Sequence, residues 1–134
     1  MRAHLERGDL VVLASEGFAA CLDPIARHVG VDATLGSTPR SACGVYSGAV
    51  DTVLTGAAKG AAVRRRMAEH GIASADWFAY GDHASDLSML LQVGNPVVVG
   101  ADPVLAEYAE RCGWRRLPGC DAGTGAGALA IAAR

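Results

Sequence analysis

The feature that most constrains this chain is a repeated order: a short apolar run, a polar junction, then a helical pattern. Leu10-Val11-Val12-Leu13-Ala14 is continuous and apolar, as expected of a parallel strand buried on both faces, and Ser15-Glu16-Gly17 is expected to break it. Residues 18–29 follow with Phe18, Leu22, Ile25 and Val29 on one helical face, Pro24 near the first turn or at a kink, and Gly30 as a stop.

The same order recurs downstream. Ala57 to His70 reads as a helix closed by Gly71, then Trp77-Phe78-Ala79-Tyr80 as a strand ending at Gly81-Asp82. Ser85 to Val93 reads as a short helix, Pro96 to Val99 as a buried strand, Pro103 to Cys112 as a helix with an acidic start, and Trp114 to Leu117 as a last short strand. Between the first two units, a short strand at Ala33–Leu35 precedes a β-hairpin expected to turn at Ser47-Gly48, an excursion at the sheet edge.

Such alternation predicts a doubly wound α/β fold, a three-layer α/β/α sandwich around a parallel sheet whose ligands lie beyond the carboxyl ends of the strands. At 134 residues there is room for one core, over residues 1–117. The Gly- and Ala-rich tail, 118–134, is expected to be peripheral, with at most a weak helix over Ala126 to Ala133.

Composition narrows the partners. A formal net charge of −2 gives no electrostatic footprint for nucleic acid. No apolar run approaches a membrane span and the first residues are not a signal peptide, so a cytoplasmic setting is expected. Cys21, Cys43, Cys112 and Cys120 form no CxxC pair and no metal-ligand spacing with histidine, and are read as reduced thiols. His4, His28 and His70 read as ordinary surface residues.

Three junctions can carry chemistry. Asp82 and Asp86, four apart after a buried strand, can be aimed at one hard cation, and magnesium favours one or two carboxylates completed by water and a substrate phosphate. The alternative is that both are turn and N-cap residues. Ser15 and the N–H groups after it can hold a phosphate oxygen, or Ser15 can simply cap a helix. Lys59 is the only lysine beside eleven arginines. Its ammonium can neutralise a phosphate and shield neighbouring carboxylates, or be an ordinary solvated side chain. Together these residue types are what phosphoryl transfer requires.

Read in order, Val11-Val12-Leu13-Ala14-Ser15-Glu16-Gly17-Phe18, Gly44-Val45-Tyr46-Ser47-Gly48, Lys59 and Tyr80-Gly81-Asp82-His83-Ala84-Ser85-Asp86-Leu87-Ser88-Met89-Leu90 resemble subfamily IB of the haloacid dehalogenase superfamily, the phosphoserine-phosphatase-like group. The resemblance runs to about Trp114-Arg115. It implies a Rossmannoid sheet, Ser15 as the phosphate-binding residue of motif II, Lys59 as the motif III lysine, and Asp82 with Asp86 as the acidic motif IV that holds Mg2+. Ser85 and Gly17 are implied as further substrate contacts. Glu16 stands among them where these phosphatases carry a second glycine, and His83 where a small residue is common; both bear on substrate identity.

The family begins with an apolar strand ending in Asp-x-Asp-x-Thr, whose first aspartate attacks phosphorus and whose second moves protons. No such motif occurs in this sequence. Met1 to Gly8 resembles the helix end just before motif II, so the usual first central strand and the cap are expected to be missing. Asp121-Ala122-Gly123-Thr124 is a poor substitute, because the residues before it make a poor buried strand. A fragment, a degenerate relative, or a half completed by an upstream segment or partner chain all remain open.

The resemblance implies magnesium-dependent hydrolysis of a small phosphorylated metabolite. The rival expectation is a non-catalytic module that binds phosphate or a partner through the same loops or an exposed sheet edge.

Overall fold

The structure, a computed structural model, describes residues 1–119 and 129–133. A short helix α1 (Arg2–Glu6) leads into β1 (Leu10–Phe18), α2 (Ala19–Val29), β2 (Ala33–Ala42), β3 (Val45–Thr52) and α3 (Gly56–His70). Then follow β4 (Trp77–Gly81), α4 (Leu87–Leu90), β5 (Asn95–Val99), α5 (Pro103–Cys112), β6 (Arg115–Leu117) and β7 (Leu129–Ala133). Single 3-10 turns at Ser74–Asp76 and Ala84–Asp86 precede β4 and α4.

The seven strands form one sheet in the order β3-β2-β1-β7-β4-β5-β6. The pairs β1/β2, β4/β5 and β5/β6 are parallel, with helices on both faces, as the alternating pattern predicts. Three helices stop at glycines in the left-handed region, Gly30, Gly71 and Gly113, where a side chain would strain the backbone.

The main core lies on one face. Val12 and Ala14 of β1, Trp77 and Ala79 of β4, and Val98 of β5 pack there with Val63 and Met67 of α3, Met89 and Leu90 of α4, and Leu105 and Ala109 of α5. On the other face α1 is held by Leu5 against Val11 and by His4, whose ring meets Phe78 and Tyr80.

His4 is buried, which corrects its reading as a surface residue. Its two ring nitrogens lie 2.7 Å from an Asp9 carboxylate oxygen and 2.7 Å from the Tyr80 hydroxyl. That hydrogen bond from His4, with Arg7 2.6 Å from the same carboxylate, holds the Asp9 carboxyl below its ordinary range. His28 and His70 are exposed, as expected.

The largest correction concerns the tail. Residues 129–133 form no helix; they are β7, which lies in the middle of the sheet, antiparallel to both neighbours. It pairs with β1 from Leu10 to Ala14 and with β4 from Trp77 to Ala79. The position where a central strand was expected to be missing is therefore filled by the chain's own C-terminal part. The direction follows from topology. The chain leaves β6 at the carboxyl end of the parallel strands, and a parallel strand would first have to return to the opposite end of the sheet, whereas an antiparallel one starts at the end where β6 stops.

Other local differences have local causes. β1 continues through Ser15-Glu16-Gly17 to Phe18, with its register to β2 shifting between Ala14 and Phe18. Phe18 and Ile25 are largely exposed, and α2 buries Leu22 and Ala26 instead, while Pro24 sits inside the helix. β2 is longer than expected, so the hairpin turns at Cys43-Gly44, both at positive φ (52° and 78°), and Ser47-Gly48 falls inside β3. Positive φ at both positions matches the right-handed twist of two paired strands. β3 is the exposed edge that was anticipated. Cys21, Cys43 and Cys112 are free thiols at the surface; Cys120 and Asp121 lie outside the described residues. No described helix is long and apolar enough to cross a membrane.

A proline in β7 tests its central position, because it removes a ladder donor where both edges are paired. Ile131→Pro is expected to lower unfolding free energy by about 1–3 kcal/mol in urea melts, through the unpaired ladder partner it leaves. An unchanged midpoint would place β7 outside the sheet.

Candidate functional site

Every junction singled out above lies at the carboxyl end of the sheet, on either side of β7. β1 carries Ser15 and Glu16; β4 ends at Gly81 and delivers Asp82, the 3-10 turn Ala84–Asp86 and α4. α3 brings Lys59 in from the side.

Lys59 lies on the buried stripe of α3, one turn before Val63 and two before Met67, which is why an ammonium ends up in the core. It is 2 % exposed and Asp86 1 %, and Lys59 Nζ donates to Asp86 Oδ1 at 2.6 Å. The other Asp86 oxygen accepts the backbone N–H groups of His83 at 3.2 Å and Asp82 at 3.4 Å. Burial pushes the Asp86 carboxyl above its ordinary range, against the pull of Lys59 and the His83 N–H. Asp86 thus does hold its loop, the alternative reading of that residue, and holds Lys59 as well.

Close helix packing supports this pair. A Cβ on Gly60 would come within 2.7 Å of the Ser88 carbonyl oxygen, so α3 and α4 meet there only because Gly60 has no side chain. The Ser88 hydroxyl donates to the Gly56 carbonyl, tying the two helices again beside Lys59.

Asp82 is half-buried, and no described residue hydrogen-bonds its carboxylate. Ser15 is buried, and its hydroxyl oxygen accepts the Gly17 N–H at 3.1 Å, leaving the hydroxyl proton free to donate. Glu16 is outermost, with its side chain 43 % exposed: its Oε1 accepts the Thr55 hydroxyl at 2.7 Å and lies 3.8 Å from Lys59 Nζ. The Thr55 and Ser85 hydroxyls hold the Glu16 carboxyl below the usual carboxylate range, with Lys59 adding to the effect.

His83 is exposed and acts as a cap, its Nδ1 accepting the Ser85 N–H at 3.2 Å with the Ser85 hydroxyl at 3.1 Å. Ser15, Glu16, Gly17, Lys59, Asp82, Ser85 and Asp86 are therefore brought into one neighbourhood. No group of three or more His, Cys, Asp or Glu side chains placed to hold a metal occurs among the described residues, so a cation here would take few protein ligands.

Three contributors were not singled out from sequence. Thr55 engages Glu16. Ser37 is buried, donates to the Glu16 carbonyl at 2.6 Å and accepts the Leu54 N–H at 2.9 Å. Asp102 caps α5 through Val104 and Leu105 and also accepts the Ala84 N–H at 3.2 Å. Asp102-Pro103 had a readable signal, an N-cap residue before a proline; Ser37 had none, since only the fold makes it a bridge.

A doubly wound sheet that gathers a lysine, a serine and two aspartates at its carboxyl edge, where ligands of such sheets bind, defines the class of an α/β protein with a candidate ligand site there. Comparison makes this specific: the haloacid dehalogenase-like hydrolase family matches residues 1–91. The chain belongs to that family. It is 32 % identical over 112 residues to the phosphoserine phosphatase SerB1 of Mycobacterium tuberculosis, covering 83 % of this chain and 36 % of the relative. It is 32 % identical over 107 residues to the phosphoserine phosphatase of Methanocaldococcus jannaschii, covering 79 % of this chain and 51 % of the relative. A solved phosphoserine phosphatase, described as a phospho-aspartyl intermediate analogue, superposes with a TM-score of 0.68 at 30 % identity, covering 79 % of this chain and 51 % of that one. The chain thus spans about a third to a half of the length of these relatives.

Breaking the buried pair from one side should cost more than replacing it. Lys59→Met and Asp86→Leu are each expected to destabilise by about 3–5 kcal/mol, because each leaves a buried charge unpaired, while the double variant recovers most of that loss. Additive losses in chemical denaturation would contradict the pairing.

Proposed function

We propose that this chain provides the phosphate- and magnesium-binding part of a magnesium-dependent phosphomonoester hydrolase acting on a small phosphorylated metabolite. The observation that carries the reading is the buried Lys59–Asp86 pair set beneath the unengaged carboxylate of Asp82 and beside the free hydroxyl proton of Ser15. The names of the relatives support a phosphomonoester, and the phospho-aspartyl analogue of one of them supports covalent transfer to an aspartate.

In this reading Lys59 offsets charge on the transferring phosphoryl oxygens, and the Ser15 hydroxyl donates to one of them. Asp86 holds Lys59 and the loop after β4 in place. Asp82 fits magnesium as principal ligand, because its oxygens are not engaged by any described residue, and Asp86 offers an oxygen that already takes two backbone N–H groups. The metal would add charge neutralisation at the phosphoryl group. Ser85, Gly17 and Glu16 border the substrate; an attacking aspartate has no counterpart among the site residues.

A second reading, phosphate binding without hydrolysis, is favoured by one observation: β7 takes the place in the sheet between β1 and β4. A strand delivering an aspartate between Ser15 and Asp82 would have to displace it.

Magnesium titration calorimetry and hydrolysis of p-nitrophenyl phosphate, with Asp82→Asn alongside, test both readings. The expected outcome is magnesium binding that weakens at least about tenfold in Asp82→Asn, with no turnover by the chain alone. Equal magnesium affinity in both proteins would refute the site. Turnover that Asp82→Asn abolishes would show that the chain supplies its own nucleophile, with Asp121 the first residue to replace.

A further inference from the structure

The Lys59 ammonium is 3 % exposed, yet the group outside it is a carboxylate, not solvent: Glu16, 43 % exposed, stands 3.8 Å away. Asp86, at 2.6 Å, is the inner and tighter partner of the same ammonium. Glu16 is therefore the outer partner, on the side from which any ligand must come.

The Glu16 carboxylate is held where a phosphate oxygen would approach the ammonium. The Thr55 hydroxyl donates to its Oε1 at 2.7 Å, and the ammonium lies behind. The backbone is fixed too, since the Glu16 carbonyl accepts the Ser37 hydroxyl at 2.6 Å and the same hydroxyl receives the Leu54 N–H, one residue before Thr55. Glu16 is thus tethered over Lys59 from both its main chain and its side chain. A glutamate reaching into solvent with no role would lose rotamer freedom for nothing in such an arrangement.

We propose that Glu16 is an internal stand-in for the phosphate group: its carboxylate occupies the approach to Lys59, held by Thr55, and must swing out before the phosphate of a monoester can bind. This rests on the phosphate-binding reading above and adds to it a residue that sets affinity. Because two carboxylates, Glu16 and Asp86, lie against one ammonium, the site repels anions until Glu16 yields. The device favours ligands whose remaining part can draw Glu16 away, such as monoesters carrying an ammonium or several hydroxyls, over bare phosphate.

Inorganic phosphate titrated into the purified chain, followed by calorimetry with magnesium chloride present, tests this with Glu16→Gln and Thr55→Val. Both side chains are exposed, and near-ultraviolet circular dichroism checks that each variant keeps its fold. Glu16→Gln is expected to bind phosphate about fivefold tighter by loss of the competing charge. Thr55→Val, which leaves every charge in place and only frees the tether, is expected to bind about threefold tighter. Tightening in Glu16→Gln alone would overturn the tethered stand-in and leave a plain charge effect. Binding by the parent chain with no gain in either variant would overturn it while the phosphate-binding reading stands. No phosphate binding by any of the three would bring down both.

Discussion

The structure depends on β1 and β4 being joined through a strand that neither supplies. Their carboxyl ends carry Ser15 and Asp82, and one intervening strand fixes the two edges about 10 Å apart. With that strand absent, two rows of backbone N–H and C=O groups in the middle of the molecule would lack partners, a cost no side-chain contact offsets. β7 removes that cost, and the site inherits its spacing from the backbone pairing of β7 with β1 and β4.

On that frame the site is organised by burial. Lys59 sits where the stripe of α3 calls for an apolar residue, and the core tolerates it because Asp86 meets it at 2.6 Å and is itself held by two backbone N–H groups. The close approach of α3 to α4 at Gly60 packs the two helices that carry and flank the pair directly against each other. Asp82, Ser15 and Glu16 surround this fixed charge at increasing exposure, so one cluster passes from core to solvent within a few side chains. A phosphate group that entered would meet hydroxyls and a carboxylate before it met the ammonium.

Much of this was legible in the residues. Apolar runs at Leu10–Ala14, Trp77–Tyr80 and Pro96–Val99 became parallel strands, and Gly30 and Gly71 became helix stops, because burial on two faces and a left-handed cap are local demands. Ser15, Lys59, Asp82 and Asp86 could be singled out as a candidate cluster because each falls at a strand end or helix start. Several features were hidden for a common reason: they depend on partners distant in sequence. Leu-Ala-Ile-Ala-Ala has neither alternation nor β-branched density, and becomes a strand only because a vacancy between β1 and β4 accepts it. His4 is buried because Tyr80, on another strand, receives it. Ile25 carries an apolar side chain on a face that nothing covers among the described residues.

The central claim, that the C-terminal strand closes the sheet, is tested most directly by nuclear magnetic resonance of the labelled chain. An antiparallel β7 predicts cross-strand contacts between α-protons of β1 and β7 in the register that pairs Val12 with Ile131, and slow amide exchange in β7 matching that of β4. Amides of β7 that exchange as fast as those of an unfolded chain, with no contacts to β1 or β4, would contradict it.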